Sequence, residues 1–140
     1  MDLFDLKIIG CAYGVNMTAN LVIDAFAKAK AKREVTENMI FHSDLGSQYT
    51  SNEYEKLLTE NKVKHSYNKK GYLYDNASME SFNAILKKEE VNVNTYETFK
   101  EARLAIFEFI ESWYNNTRIH GSLDYKTPNQ KYDEYIKNIA

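Results

Sequence analysis

Three short apolar runs alternate with two amphipathic stretches in the first half of this chain, and that alternation limits the fold more than any other feature. Residues 6–13, LKIIGCAY, have strand composition, with a glycine that reads as a bend or bulge. Thr18 can N-cap a helix running to about Arg33, with Leu21, Val22, Ala25, Phe26 and Ala29 as its apolar stripe. Lysines cluster near its end, where the helix dipole favours them. Residues 38–42, NMIFH, read as a short buried strand closed by a turn at Asp44, Leu45 and Gly46. Thr50 or Ser51 caps a second helix over residues 52–61, with Tyr54, Leu57 and Leu58 inward, and residues 63–67 make a third strand. Strand, helix, strand, helix, strand predicts an α/β sheet with parallel members.

The second half is helical in pattern. The stretch SYNKKGYLYDNASMESFNAILKKEE, residues 66–90, leaves an extended segment through a Lys-Gly loop and opens a helix at Asp75 and Asn76. Glu80, Asn83 and Lys87 recur at i, i+3 and i+7 and share one face, while Met79, Phe82 and Leu86 form the core face. Thr95 is expected to open the longest helix, about residues 96–120, with Phe99, Arg103, Ile106, Ile110 and Trp113 near one line. Gly121 then fits the position just past its end, and Arg118 and His120 suit its last turn. The only proline, Pro128, precedes a short helical stretch over residues 129–139. With no repeat, low-complexity tract or linker, the 140 residues read as one domain with a real core.

Charge and cysteine content narrow the function classes. A net charge of −2 gives no global signature of nucleic-acid binding, so a polyanion site would be a local basic patch such as Lys69, Lys70, Lys87 and Lys88. Cys11 stands alone, which excludes a disulfide framework and suits a reducing compartment. No apolar run approaches the roughly 18 residues of a membrane span, and Met1 is followed by Asp2, not by a basic leader. Cytoplasm is the expected location.

Two carboxylates carry the candidate chemistry. Asp44 follows the carboxyl end of a predicted strand, where open α/β sheets put their functional groups. Glu80 follows it with thirty-five residues between them. Taken singly, an Asp before glycine is ordinarily a turn residue, and an acid in a helix's first turn is ordinarily a dipole partner. Taken together, carboxylates from separate elements can converge on Mg²⁺, which uses one or two of them and keeps several waters. Such sites run phosphoryl transfer with two metals about 3.5–4 Å apart. His42 beside the turn could orient Asp44, although a strand histidine is more often core, and His65 needs no function.

The segments HSDLGSQYTS, KKG…YDNASMESFNAILKKE and WYNNTRIHGSLDYKTP, taken in order, resemble the catalytic core of bacterial insertion-sequence DDE transposases, the retroviral-integrase-like type. The stretch DLFDLKIIGCAYG…MTANLVIDA extends the likeness over nearly the whole chain. The resemblance implies an RNase H-like (integrase core) fold and Mg²⁺- or Mn²⁺-dependent cleavage and joining of DNA strands at transposon ends. By position in the motifs, Asp44 and Glu80 match the second and third catalytic metal carboxylates. Asn76 and Lys87 match positions that touch DNA or order the site, and Arg118 and His120 match a YN-x-x-R-x-H segment. DNA is the implied partner.

The family's first catalytic aspartate lies on a strand upstream of the segment beginning DLF. The reading therefore expects a core lacking the first strand and most of the second, with Asp2 and Asp5 not taking the missing role. A two-carboxylate remnant is expected to bind Mg²⁺ weakly. Its unpaired strand edges are expected to favour self-association or association with full-length transposase. The alternative to a working enzyme is a non-catalytic remnant that binds DNA weakly or pairs with the intact transposase.

Overall fold

A computed structural model describes residues 1–68 and 76–139. The contacts divide the chain into two compact units, one built from Met1–Ile8 with the chain from Ser78 onward, the other from Ile9–Ala77.

The Ile9–Ala77 unit carries the α/β pattern. Helix α1 spans Ala19–Lys32, strand β1 Ile40–Ser43, helix α2 Asn52–Glu60 and strand β2 Lys64–Tyr67. β1 and β2 run parallel, Ile40 opposite Lys64 through Ser43 opposite Tyr67, joined by the α2 crossover that parallel neighbours require. Val22 and Phe26 of α1 pack with Tyr54 and Leu58 of α2 and with Val63. Phe41 adds an edge-on contact to Tyr54, ring centroids 5.4 Å apart. Ser51 caps α2, its hydroxyl accepting from the Tyr54 N–H at 3.3 Å. Thr18 stands at the N-cap of α1, but its side chain makes no capping bond.

Residues 6–13 do not form the expected strand; among the described residues only β1 and β2 pair. The reason lies in where their backbone groups go. The side chain of Asn115 takes both polar groups of Ile8, which a strand would give to a ladder. Gly10 is neither bend nor bulge. It lets the chain press against α1 so closely that an added Cβ would lie 2.2 Å from the Ala25 carbonyl oxygen.

In the other unit, helix α3 spans Ala77–Leu86 and widens into a π-helical turn over Lys87–Val91. Helix α4 spans Phe99–Glu108 and widens likewise over Phe109–Tyr114. A 3₁₀ turn follows at Gly121–Leu123, and helix α5 spans Pro128–Ile139. Three expectations change here. α4 opens at Thr98, not Thr95, because Thr98 and Glu101 supply a capping pair: the Glu101 N–H donates to the Thr98 hydroxyl at 3.1 Å, and Glu101 Oε2 accepts from the Glu97 N–H. The helix does not reach His120, because the wide turn closes its last bonds one residue later. That turn buries Phe109, Ile110 and Tyr114 and leaves Trp113 40% exposed, so the apolar stripe shifts by one residue. Gly121 has no left-handed φ; in the turn after it the left-handed residues are Asp124 and Tyr125.

α5 starts at Pro128, one residue before the sequence reading placed it. Thr127 and Gln130 form a reciprocal capping box, and proline suits the first helical position.

Candidate functional site

Asp44 stands on the turn that ends β1, one residue past Ser43. Its Oδ1 accepts the Gly46 N–H at 2.8 Å, which fixes the carboxylate against its own turn. The Gly46 carbonyl then accepts from Tyr49 at 2.9 Å and Thr50 at 3.2 Å. An added Cβ on Gly46 would lie 2.9 Å from Asp44 Oδ1, so the glycine keeps the carboxylate in place. Asp44 faces solvent. Burial, and after it the Asp44 charge, raise the Tyr49 phenol above its ordinary range.

Glu80 belongs to the other unit. It lies in the first turn of α3 and is exposed, as are Asn83 and Lys87, while Phe82 on the opposite face is buried and meets the Tyr114 ring at 4.9 Å. The helix presents the face that its spacing predicts. Asn76 is half-buried just before α3. Lys69 and Lys70, like Asp75, lie outside the described residues.

Arg118 and His120 follow the wide turn of α4. Arg118 is half-buried, its guanidinium 3.8 Å from Glu89 on the π turn after α3. His120 is 8% exposed, its ring edge-on to Tyr114 at 5.1 Å. Burial, and then the Arg118 charge, hold its imidazole below the ordinary value. Its carbonyl accepts from Leu123 and Tyr125, each at 3.0 Å, so His120 builds the tight turn that follows.

Among the described residues no three His, Cys, Asp or Glu side chains gather to hold a metal. Asp44 in one unit and Glu80 in the other are each exposed carboxylates, the hard-oxygen donor type that Mg²⁺ takes.

Sequence reasoning gave Glu55 and Ser43 no role and read His65 as a strand residue that needs none. Glu55 Oε1 lies 2.6 Å from His65 Nδ1, and His65 Nε2 lies 2.9 Å from Ser43 Oγ. The Ser43 hydroxyl reaches the Asp44 carbonyl oxygen at 2.8 Å. It also passed over Asn115, buried within the YNNTR segment that called attention to Arg118.

A parallel strand–helix–strand unit thus ends its first strand in an exposed aspartate, and comparison with known proteins gives the class. A family described as integrase core domain matches residues 1–72, and a second profile of the same description matches residues 61–128. The chain belongs to the integrase core family.

Among its relatives, the transposase for insertion sequence element IS904 of Lactococcus lactis is 42% identical over 135 residues, covering 96% of this chain and 53% of that protein. A Lactococcus lactis protein named ATP-dependent protease is 41% identical over 143 residues, covering 96% of this chain and 46% of that protein. The chain thus spans about half the length of the curated relatives it matches. The catalytic core of BIV integrase superposes with a TM-score of 0.64 at 18% identity, covering 88% of this chain and 76% of that one. The HTLV-2 integrase catalytic core, solved in complex with magnesium, gives 0.57 at 20% identity, covering 82% and 70%. The fold is therefore α/β of the RNase H-like, integrase-core type.

Proposed function

We propose that this chain is the DNA-processing core of an insertion-sequence transposase, cleaving and joining DNA strands at the ends of a transposable element. The observation that carries the reading is the setting of Asp44, a solvent-facing carboxylate pinned by its own turn at the carboxyl end of a strand, in a chain of the integrase core family. Asp44 and Glu80 are the carboxylates assigned to Mg²⁺ or Mn²⁺. When bound, the cation supplies activation of the attacking oxygen and stabilisation of the leaving one.

The chain's own residues bind and orient. Lys87, exposed beyond Glu80 on the same face of α3, is assigned to a DNA phosphate, with Asn76 at the helix entrance and Lys69 and Lys70 in the same role. Arg118 is assigned to the same set, released from Glu89 when phosphate competes for it, and His120 supports it from the core.

β1 is paired on one edge only among the described residues, and an open edge recruits a further strand. A second copy of the chain, or the full-length transposase, is the proposed partner there. No described helix is long and apolar enough to cross a membrane, and a reaction on bacterial DNA belongs in the cytoplasm.

The test is transposition of a marked element in cells carrying the gene that encodes this chain. Asp44→Asn and Glu80→Gln are each expected to reduce transposition to background at unchanged protein level. Normal transposition in either variant would overturn the assignment of that residue.

A further inference from the structure

Between β1, α2 and β2 lies a polar chain that the metal reading leaves unused. It runs from Glu55 Oε1 to His65 Nδ1 at 2.6 Å, from His65 Nε2 to Ser43 Oγ at 2.9 Å, and from the Ser43 hydroxyl to the Asp44 carbonyl oxygen at 2.8 Å. The His65 side chain is 6% exposed and Ser43 4%, so water does not stand in for either of these two members. The Tyr67 phenol donates to the same Glu55 oxygen.

Counting protons fixes the state in which every link is made. The Tyr67 hydrogen bond first, and His65 after it, hold the Glu55 carboxyl below its usual range, so Glu55 is ionised and only accepts. His65 Nδ1 must then carry a proton. The Ser43 proton is committed to the Asp44 carbonyl, so its Oγ must accept from a proton on Nε2.

We propose that Glu55, His65 and Ser43 form a positioning relay that clamps the Asp44 backbone at the end of β1. Its consequence for metal binding rests on the reading of Asp44 as a metal carboxylate; the relay itself does not.

The groups that face His65 leave Glu55 as its controlling charge. α2 contributes Glu55 and Tyr54, β1 contributes Phe41 and Ser43, and β2 contributes Tyr67. Burial raises Tyr54, and the Glu55 hydrogen bond pushes Tyr67 up to about 12, so both phenols stay neutral. Asp44, the next carboxylate, is linked to the ring through Ser43. Although a carboxylate, imidazole and hydroxyl in series resemble a nucleophile relay, Ser43 is buried with its proton on a backbone carbonyl, which leaves no side open to a substrate.

The test is NMR of the ¹⁵N-labelled full chain without metal, followed by Mn²⁺ titration. Glu55→Gln, which weakens the relay at its far end, should shift the Leu45 amide, whose peptide contains the Asp44 carbonyl. Ser43→Ala should abolish that coupled shift and Ser43→Thr should restore it. Tyr67→Phe, which frees the Glu55 oxygen from its second partner at a more exposed site, should shift the same amide if the Ser43 variants do not fold. A Leu45 amide that Glu55→Gln leaves in place, or a shift that survives Ser43→Ala, overturns the relay. Mn²⁺ affinity should fall about tenfold or more in Ser43→Ala. Unchanged affinity with the coupled shift abolished would sustain the relay and refute Asp44 as a ligand.

Discussion

Asn115 holds Ile8 from both sides: its Oδ1 accepts the Ile8 N–H at 3.0 Å, and its Nδ2 donates to the Ile8 carbonyl at 3.2 Å. A side chain does here what a neighbouring strand would do. The Asn115 carbonyl meanwhile accepts from the Asn129 N–H at 3.0 Å, so one residue ties the chain's first segment, the end of α4 and the start of α5 within their unit.

Asn115 is 1% exposed, so replacing it strands two buried backbone groups. Asn115→Ala is expected to cost about 1–3 kcal/mol for each group left unpaired. Asn115→Asp, which buries a charge and sets an acceptor against the Ile8 carbonyl, should cost at least as much as Asn115→Ala. Urea unfolding measures both, and an Asn115→Ala midpoint equal to wild type would refute the clamp.

The helix starts give a second prediction. Thr98→Ala and Thr127→Ala each remove a cap made by the side chain and should cost about 1 kcal/mol. Thr95→Ala lies outside the helix and should be nearly neutral. The same unfolding experiment ranks the three, and a larger loss at Thr95 than at Thr98 would contradict the observed start of α4.

Two glycines should differ sharply. A Cβ at Gly10 meets the Ala25 carbonyl at 2.2 Å and Ala29 at 2.9 Å, so Gly10→Ala should cost about 1–3 kcal/mol through overpacking. A Cβ at Gly121 meets nothing within 4 Å, and Gly121→Ala should stay within about 0.5 kcal/mol of wild type. Comparable losses at both positions would contradict the packing of residues 9–13 on α1.

His120 gives a pH dependence with a definite sign. Its folded imidazole is held below the ordinary value, chiefly by burial, so the unfolded chain takes up the proton first. The stabilisation it contributes is full above the ordinary imidazole range and is lost as pH falls through that range toward the lowered folded value. His120→Phe should flatten that part of the stability curve. Urea midpoints across mildly acidic to neutral pH provide the check, and an unchanged slope would show that His120 is not the titrating group.

Much of this was legible in the residues themselves. A cap at Thr50 or Ser51, of which the structure uses Ser51, and the apolar spacing of α2 placed that helix, and the i, i+3, i+7 pattern of Glu80, Asn83 and Lys87 gave the exposed face of α3. The capping signatures Thr98-x-x-Glu101 and Thr127-x-x-Gln130 were also present in the sequence and locate the two later helices more accurately than composition does. Periodicity failed at residues 109–114, because a π turn adds a residue that a 3.6-residue template does not contain. Residues 6–13 have strand composition, but strand formation also depends on a partner. The link from His65 to Ser43 needs the β1–β2 register, which sets Phe41 opposite His65 and Ser43 opposite Tyr67 on one face, and one strand alone does not reveal it.

If Asp44 and Glu80 are metal carboxylates, Mn²⁺ added to the ¹⁵N-labelled chain must settle beside them, and the paramagnetic ion broadens the amides nearest to it. The predicted result is selective broadening of the amides around Asp44 and around Glu80, diminished at each position by Asp44→Asn and Glu80→Gln respectively. Broadening confined to other acidic residues, with the amides beside Asp44 and Glu80 unaffected, would contradict it.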